Sequence, residues 1–279
     1  MTISSKEKQW AQSDSREDNA IQLVINVDDL GISQDTADGA LQLWEARAIS
    51  SVSVLAFGSD VDHTVKLLIE NNIPTGVHLA LNHGRGVLPA NEVPSLHASN
   101  GDFWNSAEET LARLVMSDVK REFEAQIERL LRVGIAIRHL DSHMGLAFMS
   151  PELLMLYQEL AQRYRLAVAL PEDPYFDPVR KQLAQNSLAA SISLNGIYEL
   201  SGGAEETLTN RAAHYRSLLR SLKPGLNYIF SHPSPPTARI KAEFGDHTIR
   251  NHDFELFISS EWKEMIAEAK ITIASFPSR

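Results

Sequence analysis

Two adjacent carboxylates, Asp28 and Asp29, close the short apolar run Leu23-Val24-Ile25-Asn26-Val27 and are followed by Leu30 and Gly31. Carboxylates held this close repel one another unless a cation or a shared proton intervenes, so the pair reads as a metal ligand and a general base. Successive strand side chains point to opposite faces. Both acids therefore reach one site only where the strand stops and the backbone swings round, and Gly31 is placed to permit that swing. The plainer alternative is a turn that caps the helix beginning near Asp35. Three distant histidine segments weigh against it: His78 in Thr75-Gly76-Val77-His78-Leu79, the stretch His139-Leu140-Asp141-Ser142-His143, and Ser231-His232-Pro233. His139, Asp141 and His143 alternate, so all three lean to one face if the strand persists. Two imidazoles and a carboxylate leave coordination positions open, which suits a catalytic site rather than a structural one. Asp141 has a second reading, as the group that orients a ligating histidine from behind. His78 alone would pass for a satisfied core histidine, and His232 for a loop residue fixed by proline. The chemical role open to His232 is general acid in amide or ester hydrolysis. Arg250, Asp253, His247 and His252 read as surface residues, while Phe103, Trp104 and the segment 82–89 could line a sugar pocket.

The elements that must position these residues alternate along the chain. Strand patterns at 23–31, 50–57, 75–81, 135–140, 166–170, 226–230 and 271–274 are separated by helical periods at 34–47, 61–71, 118–133, 151–164, 206–222 and 262–269. Gly134 is placed to close one helix and Pro151 to open another. The segment 82–103 has no period and reads as a loop beside the site; 175–205 is the least legible, with a strand expected within 189–198. This alternation predicts a parallel sheet with helical crossovers. The fold class expected is α/β, an irregular (β/α) TIM-like barrel in a single domain over 21–279, preceded by a loose arm over 1–20. The acids and histidines then fall at the carboxyl ends of strands, where such barrels assemble their sites.

Composition narrows the chemistry. The 279 residues are 43% hydrophobic with a formal net charge of −10 and no basic cluster, which argues against nucleic acid or an anionic membrane as partner. Cysteine is absent, so any metal must be held by His, Asp, Glu, backbone oxygen or water. With no apolar span of membrane length and no signal-like N-terminus, a cytoplasmic address is expected. Oligomeric state is open, a homodimer included.

Taken together, the Asp-Asp-hydrophobic-Gly end of the first strand, Gly76-Val77-His78-Leu79, His139-Leu140-Asp141-Ser142-His143 and His232-Pro233 resemble the YdjC/ChbG family of carbohydrate deacetylases. The match runs from about Leu23 to Ala274. The resemblance implies a (β/α) barrel that uses a divalent metal to remove acetyl groups from N-acetylated sugars such as chitooligosaccharides. Carried over by motif, it implies Asp28 as base, Asp29, His78 and His143 as metal ligands, and His232 as acid. Where many members continue with further histidines, this chain has Met144-Gly145-Leu146-Ala147-Phe148, a departure that bears on the substrate rather than on the metal triad. Zinc suits an Asp/His₂ set, and magnesium, nickel or cobalt would suit a wetter site. Two other readings are a non-haem iron oxygenase, with a triad such as His139, Asp141 and His232, and a non-catalytic glycan-binding barrel.

Overall fold

The run Leu23–Leu30 is buried throughout and makes β1 (Ile21–Leu30) the centre of the sheet, as expected of a parallel strand covered on both faces. The structure is a computed structural model, and the residues it describes are 20–170, 192–193, 197–198, 202 and 205–276. The arm expected at the N-terminus lies outside the described residues, as does most of the stretch that was least legible.

After β1 come α1 (Gln34–Glu45), β2 (Ser51–Val54), α2 (Val61–Glu70), β3 (Thr75–Leu79), α3 (Ala107–Arg113), α4 (Met116–Arg132), β4 (Ile137–Ser142), α5 (Pro151–Tyr164) and β5 (Ala167–Leu170). Two short strands follow, β6 (Ile192–Ser193) and β7 (Ile197–Tyr198), then α6 (Leu208–Ser221), β8 (Gly225–Ser231), α7 (Ala238–Glu243), α8 (His247–Ile258), α9 (Ser260–Glu268) and β9 (Ile271–Ile273). The strands form one sheet in the order β6-β5-β4-β3-β2-β1-β8-β7, with β9 paired to β1 off this path, and every pairing is parallel. The result is an α/β fold with a curled parallel sheet. Among the described residues no pairing joins β6 to β7, so the sheet is a barrel-like curl rather than a closed ring. An antiparallel jelly roll, the usual host of an iron oxygenase triad, does not match this topology. No helix among the described residues is long and apolar enough to cross a membrane.

The two faces of the sheet differ in what they bury. Leu23, Ile25 and Val27 join the large core between sheet and helices, with Leu43, Phe123, Tyr157, Tyr215 and Trp262. Their neighbours on the inner face, Val24, Ala167 and Tyr228, form a small apolar cluster with Phe276. Above that cluster, toward the carboxyl ends, the inner face turns polar. Register places Asn26 beside Ser51 and Phe230, and His78 beside Asp141.

Three local features have physical causes. The strand expected over 50–57 stops at Val54 because the following turn packs against the end of β1, where a Cβ on Gly58 would lie 2.1 Å from the Gly31 carbonyl oxygen. The loop 82–103 contains a single 3₁₀ turn, Pro94–Leu96, and is tied to α4 by the Glu122 carboxylate, which accepts from the backbone of Val87 and Leu88 at 2.8 and 2.9 Å. The polar stretch 238–258 forms α7 and α8, which bury Ile240, Phe254, Leu256 and Phe257.

Candidate metal centre

The swing needed to bring both acids together occurs at Asp29 itself. Its φ is 63°, in the left-handed region that side chains other than glycine rarely adopt, and the β1–β2 register shifts between Val27 and Leu30. Gly31, at φ 104°, completes the turn toward α1. Gly31 therefore shares the task assigned to it with a strained carboxylate.

Three donor atoms from three elements converge. Asp29 Oδ1 lies 2.9 Å from His143 Nδ1 and 3.3 Å from His78 Nε2, and the two histidine nitrogens are 3.3 Å apart. Donors each about 2.1 Å from a shared cation and spread by octahedral or tetrahedral angles lie about 3.0–3.4 Å apart, so the triangle fits a divalent ion. His143 is presented by the 3₁₀ turn that follows β4, whose next two residues, Met144 and Gly145, both have positive φ. Ser142 Oγ steadies that turn by accepting from Ala147 N at 2.9 Å. The backbone just beyond His78 is clasped by Gln126 of α4, which accepts from Ala80 N at 3.2 Å and donates to its carbonyl at 2.7 Å.

Behind the triangle, His78 Nδ1 meets Asp141 Oδ1 at 2.7 Å. A carboxylate there fixes a proton on Nδ1 and keeps Nε2 facing Asp29. Asp141 lies outside the triangle, and with Asp28 and His78 it forms a second group whose donor atoms all come within 4.8 Å of one another. Asp28 Oδ1 accepts from Asn26 Nδ2 at 2.6 Å and from Ser53 Oγ at 3.3 Å, while Oδ2 lies 4.0 Å from His78 Nε2. His232 Nε2 stands 3.5 Å from Asp29 Oδ2.

The electrostatics follow from placing so many acids in a buried cluster. Burial pushes the Asp28 carboxyl well above the ordinary range; His78 opposes the shift and Asp141 and Asp29 add to it. Burial would push Asp29 the same way, but hydrogen bonds from His143 and His78 and the charge of His232 hold it well below. The His78 imidazole, which burial would lower, is raised well above its usual value by Asp141 and Asp28. Burial lowers His232, with Asp29 opposing and Arg250 adding to the shift.

Sequence reasoning missed several groups here. Arg250, read as a surface residue, is only 8% exposed. It reaches to within 3.7 Å of Asp29 Oδ2, with Nε on Asp246 Oδ1 at 2.7 Å and its guanidinium over the Phe244 ring. Asp253, also read as surface, is buried and paired in two places with Arg211 at 2.6 and 2.8 Å; it accepts from Ser231 Oγ at 2.6 Å, beside His232. Asn26, Ser53 and Tyr228 were missed as well, although polar residues in a buried strand were a usable signal. His247 Nδ1 lies 3.1 Å from the carbonyl oxygen of Phe244, the residue beneath Arg250.

A cleft of about 280 Å³ opens beside His143, lined among others by Ile32, Phe57, Ser59, Asn82, His83 and Arg85. Phe103 and Trp104 do not line it. Phe103 is buried with its ring edge against Phe57, and Trp104 Nε1 donates to the Ser95 carbonyl at 2.9 Å.

Comparison with known proteins places the chain in a family. A carbohydrate deacetylase of Listeria monocytogenes is 32% identical over 157 residues, 55% of this chain and 62% of the relative. One of Oceanobacillus iheyensis is 30% identical over 155 residues, 54% of this chain and 66% of the relative. The chain thus spans about three-fifths of the length of the Listeria relative. A crystal structure from Enterococcus faecalis V583, of a protein named for cellobiose-phosphate cleavage, superposes with a TM-score of 0.79 over 92% of this chain and 98% of that one, at 21% identity. The sequence model described as YdjC-like protein matches residues 22–268, and the chain therefore belongs to the YdjC-like family.

Proposed function

We propose that this protein is a metal-dependent carbohydrate N-deacetylase built as one domain on a (β/α) barrel-like scaffold, hydrolysing the acetamide of an N-acetylated sugar. The observation that carries the reading is the triangle of Asp29 Oδ1, His78 Nε2 and His143 Nδ1, with sides of 2.9–3.3 Å and a separate carboxylate, Asp28, beside it. Membership of the YdjC-like family and relatives named carbohydrate deacetylase support it.

Asp29, His78 and His143 would hold the cation, zinc or magnesium being the expected choices. When bound there, a divalent ion supplies Lewis-acid polarisation of a carbonyl and a lowered pKa for water. Asp28 then acts as general base. Asn26 and Ser53 fix its Oδ1 and leave Oδ2 on the side of the triangle, where it takes the proton from the attacking water. Its raised affinity for protons suits that task, since a base works best when its pKa approaches the working pH. His232, across Asp29 from the histidine pair, gives a proton to the departing amine nitrogen, without which an amide leaves slowly. Arg250 and Asp29 set the charge around that imidazole. The cleft beside His143 offers a flat Phe57 ring with Ser59, Asn82 and His83, a mixed apolar and hydrogen-bonding lining that suits a sugar.

The test is acetate release from a panel of N-acetylated mono- and oligosaccharides, before and after chelation and after metal re-addition. Release from at least one glycan, lost on chelation and restored by a divalent ion, is expected. Glycan binding with no acetate release from any member would instead favour a non-catalytic barrel.

A further inference from the structure

One histidine of the His139-to-His143 stretch takes no part in the reaction above. His139 is 0% exposed, and neither ring nitrogen makes a hydrogen bond of normal geometry among the described residues. Its nearest charged partner is Asp141 Oδ2, 3.5 Å from Nε2. A buried imidazole with so little polar contact costs free energy, yet its ring is clamped on both sides. On one side is Gly76 of β3, where a Cβ would lie 2.3 Å from the imidazole. On the other is Phe276, stacked at 4.2 Å between ring centroids and 25° between planes.

Phe276 belongs to none of the strands; the segment after β9 carries it in. β8 occupies one edge of β1 over residues 21–27, and on the other edge β9 pairs with 21–23 while β2 pairs with 26–30. The chain leaving β9 is tied first to β1, Ala274 N donating to the Leu23 carbonyl at 2.8 Å, and then to β4, where Arg138 Nη1 donates to the Phe276 carbonyl at 3.2 Å. Residues 274–276 thus form a strap across the floor of the curled sheet. The strap sets the Phe276 ring against His139 and also against Tyr228, at 5.7 Å. Tyr228 OH donates to the same oxygen of Asp141 that His139 faces, at 3.2 Å. One ring therefore braces two of the groups that face Asp141 Oδ2, while Oδ1 of that carboxylate holds His78.

We infer that His139 and Phe276 are positioning residues of the candidate metal centre: the strap after β9 fixes Asp141, and through Asp141 the ring plane and tautomer of His78. This rests on the metal-site reading given under Proposed function. The test compares full-length wild type with His139→Phe, His139→Gln and Phe276→Leu. Cobalt(II) affinity is measured by competition with a chromophoric chelator, alongside the visible spectrum of the bound cobalt and the Tm of the metal-free protein. His139→Phe keeps the stack and removes the contact to Asp141; Phe276→Leu keeps the apolar plug and removes the flat ring. Each should weaken cobalt binding by about tenfold, the low end for groups outside the ligand set, and alter the cobalt spectrum. His139→Gln retains a donor and should stay within about threefold of wild type. Folded His139→Phe and Phe276→Leu proteins with wild-type affinity and spectrum would overturn the inference and leave the metal site standing. A wild type that takes up no cobalt would remove both.

Discussion

Replacing Asp141 with asparagine isolates the contribution of the carboxylate behind His78. Asp141 faces four donors: His78 Nδ1 at 2.7 Å, Tyr228 OH at 3.2 Å, Asn26 Nδ2 at 3.4 Å and His139 Nε2 at 3.5 Å. An amide has one acceptor oxygen. If that oxygen serves His78, the new NH₂ is forced against the Asn26 amide and His139. If it turns the other way, the NH₂ faces His78 Nδ1, the imidazole must change tautomer, and the hydrogen moves to Nε2, the atom aimed at the triangle. Loss of an outer partner of this kind costs about 10–100-fold in metal affinity, or about 1.4–2.8 kcal/mol. Competition titration with a chromophoric chelator reads the affinity, and circular dichroism checks that the variant is folded. A folded Asp141→Asn protein within about twofold of wild-type affinity would refute the claim that Asp141 orients His78 for a cation.

Asp28→Asn should retain metal binding while acetate release falls by about 10²–10⁴-fold, the range for loss of a general base; wild-type turnover by a metal-loaded Asp28→Asn protein would remove Asp28 from that role. His232→Ala should lose far more activity on an acetamide than on 4-nitrophenyl acetate, whose leaving group needs no proton, and equal losses on the two would show that His232 is not the acid. Metal binding should also release protons. Asp141 and Asp28 outweigh burial to raise His78, so the metal-free imidazole carries its extra proton below that raised value, and cation affinity climbs with pH until His78 has deprotonated. Calorimetric titration near neutral pH in buffers of different ionisation enthalpy reads the release, and a buffer-independent heat would contradict it. Gly76→Ala drives a Cβ to 2.3 Å from the His139 ring. Overpacking of this kind costs about 1–3 kcal/mol, or about 2–5 °C in Tm for a chain of this size, and an unchanged Tm would contradict the clamp.

What was legible in the sequence was whatever repeats with a period. β1, β8 and α5 stand where apolar runs and Pro151 put them, because a fully buried parallel strand and an amphipathic helix each leave a direct pattern. The strand-end acids and histidines were legible for the same reason: once the strands are parallel, their carboxyl ends share one rim. The residues that gather here by tertiary contact alone were not. Arg250 lies in a stretch whose apolar residues cluster at one end of α8, so no helical stripe marked it, and its burial depends on Phe244 below and Asp246 one turn back. Phe276 follows the last strand without any period, and only the slot beside β1 shows why it turns inward. The left-handed backbone of Asp29 had no signal beyond the neighbouring glycine, since the strain sits on a residue type chosen for chemistry rather than for conformation.

The central claim is that Asp29, His78 and His143 share a cation. Crystals grown or soaked with cobalt or zinc, with diffraction recorded on both sides of the metal absorption edge, test it directly. The account predicts one anomalous peak in contact with Asp29 Oδ1, His78 Nε2 and His143 Nδ1, with Asp28 beside it and Asp141 behind His78. An ion bound through Asp141 and His139, or one that leaves His143 untouched, would contradict it.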